Sequence, residues 1–519
     1  MSADRPDAGA VDHLEPGGRP PGRSRRRTAT VGIAAAAVLG VAGAGAWGVA
    51  QFLDGGTAAA AAVPADALAY VSLDLDPSGG QKLEAARTLR EFPAIKEKVG
   101  SGDDLRRWLF EAILEEAPCE DLGFTDDVDP WVGNKMAFAV VPGKPGEEPV
   151  PMGVVEVKDE AAAEAGVEKI AACDGSDAPG TAFVEGFMVV AETDKIADDL
   201  AAQVGDGSLA EDDGFNSWVD EAGGSGILTG YVSADAPTTM MELMEGDLTG
   251  DPMSPFGDPE ELQEAFQEFE GAALSLRFDD GALEVELAGG GAPSEVAGEG
   301  DSGMADLPTT TAIALGMTFS DTAAQDLVDQ LTEAMGEKQA EQMIRAAEQQ
   351  TGLSLPEDLQ TLMGDGLSVA VDGSIDLDAL MAMGGGESGI PAGARILGDP
   401  DEIVPLLEKL IASAGVEGQV FVESGDGLVA FGLDAEHVAS LAEDGGLGEE
   451  PQFESALPDL DDSTGGVYVD FDAGDWLTEL ADQADDAEVR ENLEPLSSLG
   501  ITSWQDGDVV HGKVRLSTD

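Results

Sequence analysis

Three six-residue strings share one pattern: AYVSLD at 69–74, GYVSAD at 230–235 and VYVDFD at 467–472. Their side chains alternate between two sets, which is typical of a β-strand with two different faces. Each string holds one of the three tyrosines of the chain, always at its second position. A fourth string, IALGMT at 313–318, lacks the Tyr and the Asp. The repetition indicates an internally duplicated, strand-rich protein.

Longer stretches repeat in the same order along the chain. GNKMAFAV at 133–140 matches GDGLSVAV at 364–371. LSLRFDDG at 274–281 matches ITSWQDG at 501–507, and both end in a hairpin signal, Asp-Gly. These matches predict a tandem duplication in which each half contains strand-helix-hairpin units.

The predicted fold class is α+β, with a mainly antiparallel sheet in each half and helices packed on one face of it. The first repeat domain is expected at 63–290 and the second at 307–517, each of a size that can bury its own core. Between them, 291–306 is rich in Gly, Ala, Ser and Glu, which predicts a flexible linker.

Charge is divided unevenly along the chain, which has 26 Lys and Arg against 104 Asp and Glu. Residues 1–27 hold six Arg and four carboxylates, a net charge of +2, whereas everything after Leu53 has a net charge of −80. A region this acidic does not bind nucleic acid, which is held by clustered Lys and Arg. The acid excess also fits a chain adapted to salt, because salt screens self-repulsion.

Residues 28–53 are uncharged, and this 26-residue stretch predicts a transmembrane helix. At about 1.5 Å per residue it exceeds a hydrocarbon core of roughly 30 Å. The Arg cluster at 23–27 predicts that the basic tail, 1–27, lies in the cytoplasm, where we expect it to be disordered. The chain after the helix then lies outside the cell, so we predict a single-pass protein of the cell membrane. An Ala/Gly linker is expected at 54–62. The alternative is a secretion signal cleaved after Ala60-Ala61-Ala62, but the length of the stretch favours an anchor.

Two cysteines, Cys119 and Cys173, lie in the predicted exported part. A disulfide can form and persist outside the cell, where an unpaired thiol is a liability. We therefore expect a disulfide between them, with two free thiols as the alternative.

The repeated tyrosine strings allow two interpretations. In the first, a polar stripe with aromatic groups meets a glycan or another protein at the surface. In the second, which we favour, each Tyr packs with its hydroxyl at water and each Asp ends a strand before a helix. The candidate stripe comprises Tyr70, Ser72, Asp74, Tyr231, Ser233, Asp235, Tyr468, Asp470 and Asp472.

The last strands of the two halves carry opposite charges. The first-half strand presents Glu284 and Glu286, which we expect to be exposed, and its counterpart presents His511, Lys513 and Arg515. Opposite charges on equivalent strands attract, so these stripes are candidates for docking the halves together. The alternative is that the basic stripe only relieves the crowding of acidic charge.

Motifs for catalysis and metal binding are lacking in the sequence. It has no G-x-S-x-G, no S-x-x-K and no phosphate-binding loop, and its three His lack the spacing of a zinc site. Acidic clusters at 126–129, 376–378 and 459–462 offer oxygen ligands for Ca²⁺, but none has EF-hand spacing. We predict no cofactor, no catalytic residue and no metal ligand, and interpret the clusters as solvated surface.

The opening VPADALAYVSLDLDPSGGQKLEAARTLREFP at 63–93, after an Arg-flanked membrane stretch, resembles a family of actinobacterial envelope proteins known only as a domain of unknown function. The resemblance implies a membrane-anchored, exported protein. It implies no activity and offers no catalytic residues that could be carried over to this sequence. The predicted function is a non-catalytic interaction or binding module of the cell envelope, with an envelope protein, a glycan or a lipid as partner. Two alternatives stay open: a carrier of an apolar ligand such as a lipid, and a hydrolase with paired carboxylates. The oligomeric state also stays open.

Overall fold

The alternating strings form strands of an antiparallel sheet, as the sequence predicts. The strands are β1 (Ala69–Asp74), β2 (Val132–Val141), β3 (Val150–Val157), β4 (Gly180–Val184), β5 (Phe187–Ala191), β6 (Leu228–Ser233), β7 (Gly271–Asp279), β8 (Ala282–Gly290), β9 (Thr311–Thr318), β10 (Gly366–Asp372), β11 (Ala392–Leu397), β12 (Phe421–Ser424), β13 (Leu428–Gly432), β14 (Gly465–Asp470), β15 (Leu496–Asp506) and β16 (Val509–Thr518).

Helices connect the strands. They are α1 (Glu160–Asp174), α2 (Asp194–Val204), α3 (Asp213–Glu221), α4 (Ala323–Met335), α5 (Glu337–Thr351), α6 (Glu357–Met363), α7 (Pro400–Ala414), α8 (Ala435–Leu441), α9 (Pro451–Ala456), α10 (Trp476–Gln483) and α11 (Ala487–Leu493). An α+β fold with a mainly antiparallel sheet is therefore confirmed.

The computed structural model describes residues 58–75, 122–144, 147–174, 177–239, 269–290, 298, 300–375, 391–474, 476–483 and 487–518, with 81, 84, 85, 87, 88, 91–93, 106, 107 and 110. The predicted helix at 28–53, the tail before it and Cys119 lie outside these residues, as does the side chain of Cys173. Among the described helices, none has the length and apolarity needed to cross a membrane.

The sixteen strands in the described part of the chain belong to one sheet, in the order β12-β13-β11-β10-β9-β14-β15-β16-β8-β7-β6-β1-β2-β3-β5-β4. The junction between β16 and β8 divides this order into two halves. Strands at equal distances from the junction differ in number by eight, from β8 and β16 beside it to β4 and β12 at the two edges. The halves join where β8 pairs with β16, from Ala282 opposite Ser517 to Gly290 opposite Val509. One sheet therefore replaces the two expected, because pairing satisfies the backbone groups that two open edges would leave unpaired.

The sheet has two faces, which we name by their residues. The tyrosine face carries Tyr70 and Tyr231, which lie opposite each other in β1 and β6, and Tyr468 in β14. The apolar face carries the residues that alternate with them, such as Val71 and Val469. On the tyrosine face, α2 and α3 cover the first half and α8 and α9 the second.

The apolar face is covered at its two sides. The turn Phe124–Val128 and α1 pack there in the first half, and α7 packs there in the second half, with α4–α6 around it. The prediction that helices lie on one face only is therefore wrong. Both faces consist largely of apolar or small residues, so each needs cover from water.

Two segments expected to be linkers are partly packed into the core. Ala59, Ala60 and Ala62 form a buried turn against the first half, although 54–62 reads as a linker. Met304, from the expected flexible linker at 291–306, is buried among the core residues of the second half. Small or apolar side chains at these positions fill space beside the sheet, which a composition rich in Gly and Ala does not reveal.

Candidate functional site

The tyrosine stripe lies mostly inside the molecule. Tyr70, Tyr231 and Tyr468 are buried, and so are Ser72 and Asp74, while Ser233 and Asp470 are half-buried. Only Asp235 and Asp472 are exposed. A surface stripe across these strands is therefore not what the structure shows, because α3 and α9 cover the face that holds it.

An aromatic contact explains why tyrosine occupies these positions. The Phe215 ring from α3 packs edge-on against the rings of both Tyr70 and Tyr231, at centroid distances of 5.5 and 5.2 Å. In the second half, the Phe453 ring from α9 packs against Tyr468 at 4.9 Å. Burial raises the pKa of Tyr231 to about 12, and the nearby Asp212 carboxylate adds to this effect. The hydroxyls therefore stay protonated at neutral pH and pack rather than react.

The aspartates of the strings have local structural roles. Asp74 forms an ion pair with Lys135 on the neighbouring strand, with 2.9 Å between Nζ and Oδ2. Asp470 ends β14 and accepts hydrogen bonds from the backbone N–H groups of Asp472 and Ala473, at 2.9 and 3.0 Å. These contacts hold the strand ends and their turns in place.

The charged side chains of β7, β8 and β16 form a network on the tyrosine face, which we call the charged seam. Register places Glu284 between Arg277 and Arg515, and Glu286 next to Lys513. Arg277 Nη2 lies 2.6 Å from Glu284 Oε1, and Arg515 also pairs with Glu284. Glu284 is 2% exposed and Arg515 6%. The expectation that Glu284 and Glu286 are exposed is wrong, since partner strands and helices enclose both.

The charged seam also ties helices of both halves to the central strands. Arg277 donates to the carbonyl oxygen of Gly223 at 3.0 Å, just after α3. Arg515 Nε donates to the carbonyl oxygen of Ser455 in α9, also at 3.0 Å. Lys513 Nζ lies 2.8 Å from an Asp459 carboxylate oxygen. The seam thus combines ion pairs between the halves with hydrogen bonds to the helix layer.

His511 lies at one end of this network. Its ring is buried, stacks on Trp504 with 4.9 Å between centroids, and lies 3.7 Å from a Glu221 carboxylate oxygen. The arrangement brings together all five residues that the sequence singled out for docking. Arg277 was not among the docking candidates from the sequence, although its position in the alternating string LSLRFDDG places it on the same strand face as Ser275. Whether the seam holds the halves together in solution stays a prediction.

Large apolar side chains are exposed at the centre of the apolar face. Seven of the large hydrophobic side chains that are more than a third exposed lie there, on six neighbouring or nearby strands: Val232, Leu287, Ile313, Met317, Val369, Ile501 and Val510. Leu287 is the most exposed of those in the first half, at 42%. An apolar surface of this extent commonly marks a binding surface. This surface could not be predicted from the sequence, because alternation does not say which strand face is covered.

An acidic cavity opens at the ends of β10 and β14. It has a volume of about 690 Å³, and its lining includes Asp372, Glu450, Asp470, Glu479 and Trp476. Burial raises the pKa of Asp372, but hydrogen bonds from Ser374 and Thr310 outweigh it and hold that pKa below its usual value. The Asp372 carboxylate is therefore ionised at neutral pH and serves as an acceptor, not as an acid.

Aspartates from two of the acidic clusters form ion pairs with lysine or arginine side chains. Asp127 pairs with Lys169 at 2.6 Å and Asp129 with Arg106 at 2.8 Å, while Asp459 belongs to the charged seam. The cluster at 376–378 lies outside the described residues. Within the described part of the chain, no three His, Cys, Asp or Glu side chains are arranged to hold a metal ion.

Comparison with known proteins gives a match to a family model over part of the chain and no activity. A family model described as "Protein of unknown function (DUF3352)" matches residues 31–178. No curated protein matches the sequence. Among solved structures, the chain is similar to the one described as "Structure of crystal form III of TP0453", with 10% identity over 46% of this chain and 80% of that chain. The TM-score of that likeness is 0.21.

Proposed function

We propose that this protein is a membrane-anchored, exported, non-catalytic binding module of the cell envelope, and that the centre of the apolar face is its binding surface. The observation that carries the proposal is the grouping of exposed Val, Leu, Ile and Met side chains on one face of the central strands. Water-exposed apolar area is costly to a soluble region unless a partner covers it.

The anchor is supported by sequence and by packing next to it. The uncharged stretch 28–53 follows an Arg cluster and precedes a region with a net charge of −80. The alternative cleavage site, Ala60-Ala61-Ala62, lies in a turn whose Ala60 and Ala62 side chains belong to the first-half core. Cleavage there would remove part of that core, which favours an uncleaved anchor. The resemblance to actinobacterial envelope proteins agrees with this topology.

We also infer that the ectodomain arose by tandem duplication. The equivalent strand order of the two halves supports this. So do two isolated bridges at equivalent places, Pro64 with Ser208 and Pro308 with Gly446. Duplication explains why the same aromatic contact, Tyr with Phe, occurs under α3 and α9.

Cross-linking in intact cells tests the binding function. Cells carry the full-length protein, either unchanged or with Leu287→Glu on the apolar face. The matched control is Phe421→Glu, because Phe421 is 40% exposed but lies on the edge strand β12, away from this surface. We expect Leu287→Glu to lose cross-linked material that Phe421→Glu retains. Identical cross-linking patterns for all three proteins would contradict the proposal, as would recovery of the protein in the culture supernatant alone.

A further inference from the structure

The apolar face of the central strands carries no charged side chain, which is unusual in so acidic a chain. Its residues alternate with those of the tyrosine face: Ile313, Leu315 and Met317 in β9, for example, and Leu283, Val285 and Leu287 in β8. In β16 the same face holds Val510, Gly512, Val514 and Leu516. The only polar side chains on this face of β15 are Ser503 and Gln505. A partner therefore meets hydrocarbon almost everywhere.

Backbone polar groups are not available to a partner either. Each of the central strands β9, β14, β15, β16, β8, β7 and β6 is paired with a neighbour on both sides. Protein–protein interfaces typically contain about one hydrogen bond per 100–200 Å². This surface offers few groups for such bonds, whereas hydrocarbon chains need none.

Charge argues against a second copy of this chain as the occupant. The part of the chain after Leu53 has a net charge of −80. Exposed aspartates also lie at both ends of the central strands: Asp280 in the β7–β8 turn, and Asp506 and Asp508 around the β15–β16 turn. These two turns point to opposite ends of the sheet, because β8 and β16 are antiparallel. Two such surfaces face to face would repel each other, and an anionic headgroup would be repelled as well.

We propose that the centre of the apolar face binds the acyl chains of a lipid whose headgroup carries no net negative charge. This inference rests on the proposed binding function and names the class of its ligand. The exposed side chains extend from Val232 in β6 to Val369 in β10, which are separated by seven strand-to-strand steps. At about 4.8 Å per step the surface is roughly 34 Å wide, enough for extended hydrocarbon chains.

Photo-cross-linking with two lipid probes tests this assignment. The full-length protein is reconstituted in vesicles that contain diacylglycerol with a photoactivatable group in one acyl chain. A parallel set contains phosphatidylglycerol with the same chains and the same group. Adducts are then mapped by peptide mass spectrometry. We expect diacylglycerol adducts on the peptides that hold Leu287 and Ile501, and several-fold fewer adducts from phosphatidylglycerol.

Variants decide whether the adducts report binding at this surface. Leu287→Glu should lower the adduct yield about tenfold, because it places a charge against hydrocarbon, and Phe421→Glu should leave it unchanged. Ile501→Ser is a milder second variant, to be used if Leu287→Glu fails to fold by circular dichroism. Adducts confined to the anchor stretch 28–53, or a yield insensitive to both surface variants, would overturn the assignment.

If something other than lipid covers the apolar face, the experiments give different results. These results distinguish a failure of the lipid assignment from a failure of the proposed binding function. Loss of a cross-linked protein in Leu287→Glu cells, without lipid adducts at Leu287 or Ile501, would overturn the lipid assignment but leave a binding module. A dimer in sedimentation that Leu287→Glu dissociates would do the same. Cross-links from this surface to other parts of the same chain, with neither lipid nor protein partner, would overturn both proposals.

Discussion

Replacing Arg515 by Met should strongly destabilise the junction between the two halves. The Arg515 guanidinium pairs with buried Glu284, lies 3.1 Å from Asp279 Oδ2 and donates to the Ser455 carbonyl oxygen at 3.0 Å. Met has a similar length but none of these donors, so Glu284 loses one of its two arginine partners.

The expected loss in the free energy of unfolding depends on the partners that Glu284 keeps. Breaking a buried ion pair by removing one partner costs about 3–5 kcal/mol. Arg277 still lies 2.6 Å from Glu284 and Asp279 is exposed, so we expect a loss near the lower limit, about 3 kcal/mol. In the double variant Glu284→Leu/Arg515→Met no buried carboxylate is left without its arginine, since only the exposed Asp279 loses a partner. The double variant should therefore lose only about 1 kcal/mol, roughly 2 kcal/mol less than Arg515→Met alone.

Urea unfolding of the full-length protein in detergent measures these differences, because urea does not screen charge. Tryptophan fluorescence and far-UV circular dichroism give the free energy of unfolding. The matched control is Arg345→Met, since Arg345 pairs with Glu341 on the surface of α5 with both side chains more than half exposed. That variant should lose less than about 0.5 kcal/mol. An Arg515→Met loss as small as the control, or a double variant as unstable as the single one, would refute the reasoning.

Four further outcomes are expected. Charge reversal by Lys513→Glu with Arg515→Glu should make the protein less compact in small-angle scattering, and an unchanged radius of gyration would count against docking by the charged seam. Phe215→Ala should cost about 3–5 kcal/mol in urea unfolding, because the ring fills the space between Tyr70 and Tyr231; a cost below about 1 kcal/mol would contradict this packing. Burial raises the pKa of Tyr231 from its ordinary value of 10.0 to about 12, so the folded state keeps a proton that the unfolded state loses. Stability should therefore be complete below pH 10 and fall as the pH rises from 10 to about 12, and absorbance titration should show no folded-state tyrosinate near pH 10. Finally, the free energy of unfolding should increase in molar salt, because salt screens the self-repulsion of a region with a net charge of −80; a protein no more stable in molar salt would contradict this.

Particular elements show how far the sequence predicts the structure. Hairpins at Asp280-Gly281 and Asp506-Gly507 form as predicted, with φ near +47° at Asp280 and positive φ at both glycines. Helices α7 and α8 begin after Asp399 and Asp434, and each of these carboxylates accepts hydrogen bonds from the backbone of the first turn. These features depend on neighbours within a few residues, so local chemistry is sufficient to specify them.

The candidate residues show where this local reasoning ends. Alternation correctly placed Tyr70, Ser72 and Asp74 on one strand face, but the structure buries that face under α3 instead of exposing it. Glu284 and Glu286 were expected at the surface, and the partner strand β16 encloses them. The two-residue periodicity of a strand assigns its side chains to two faces, but it does not determine which face another element covers.

Local patterns in the sequence are sufficient to predict the strands, their turns, the equivalent order of landmarks in the two halves, and the unequal distribution of charge along the chain. The folded structure is needed to see that one sheet contains both halves, that helices lie on both of its faces, and that large apolar side chains stay exposed at the centre of the apolar face. The difference arises from distance along the chain. Ala282 meets Ser517 and Glu284 meets Arg515 across more than two hundred residues, and such contacts are selected by how whole elements pack, not by any local pattern.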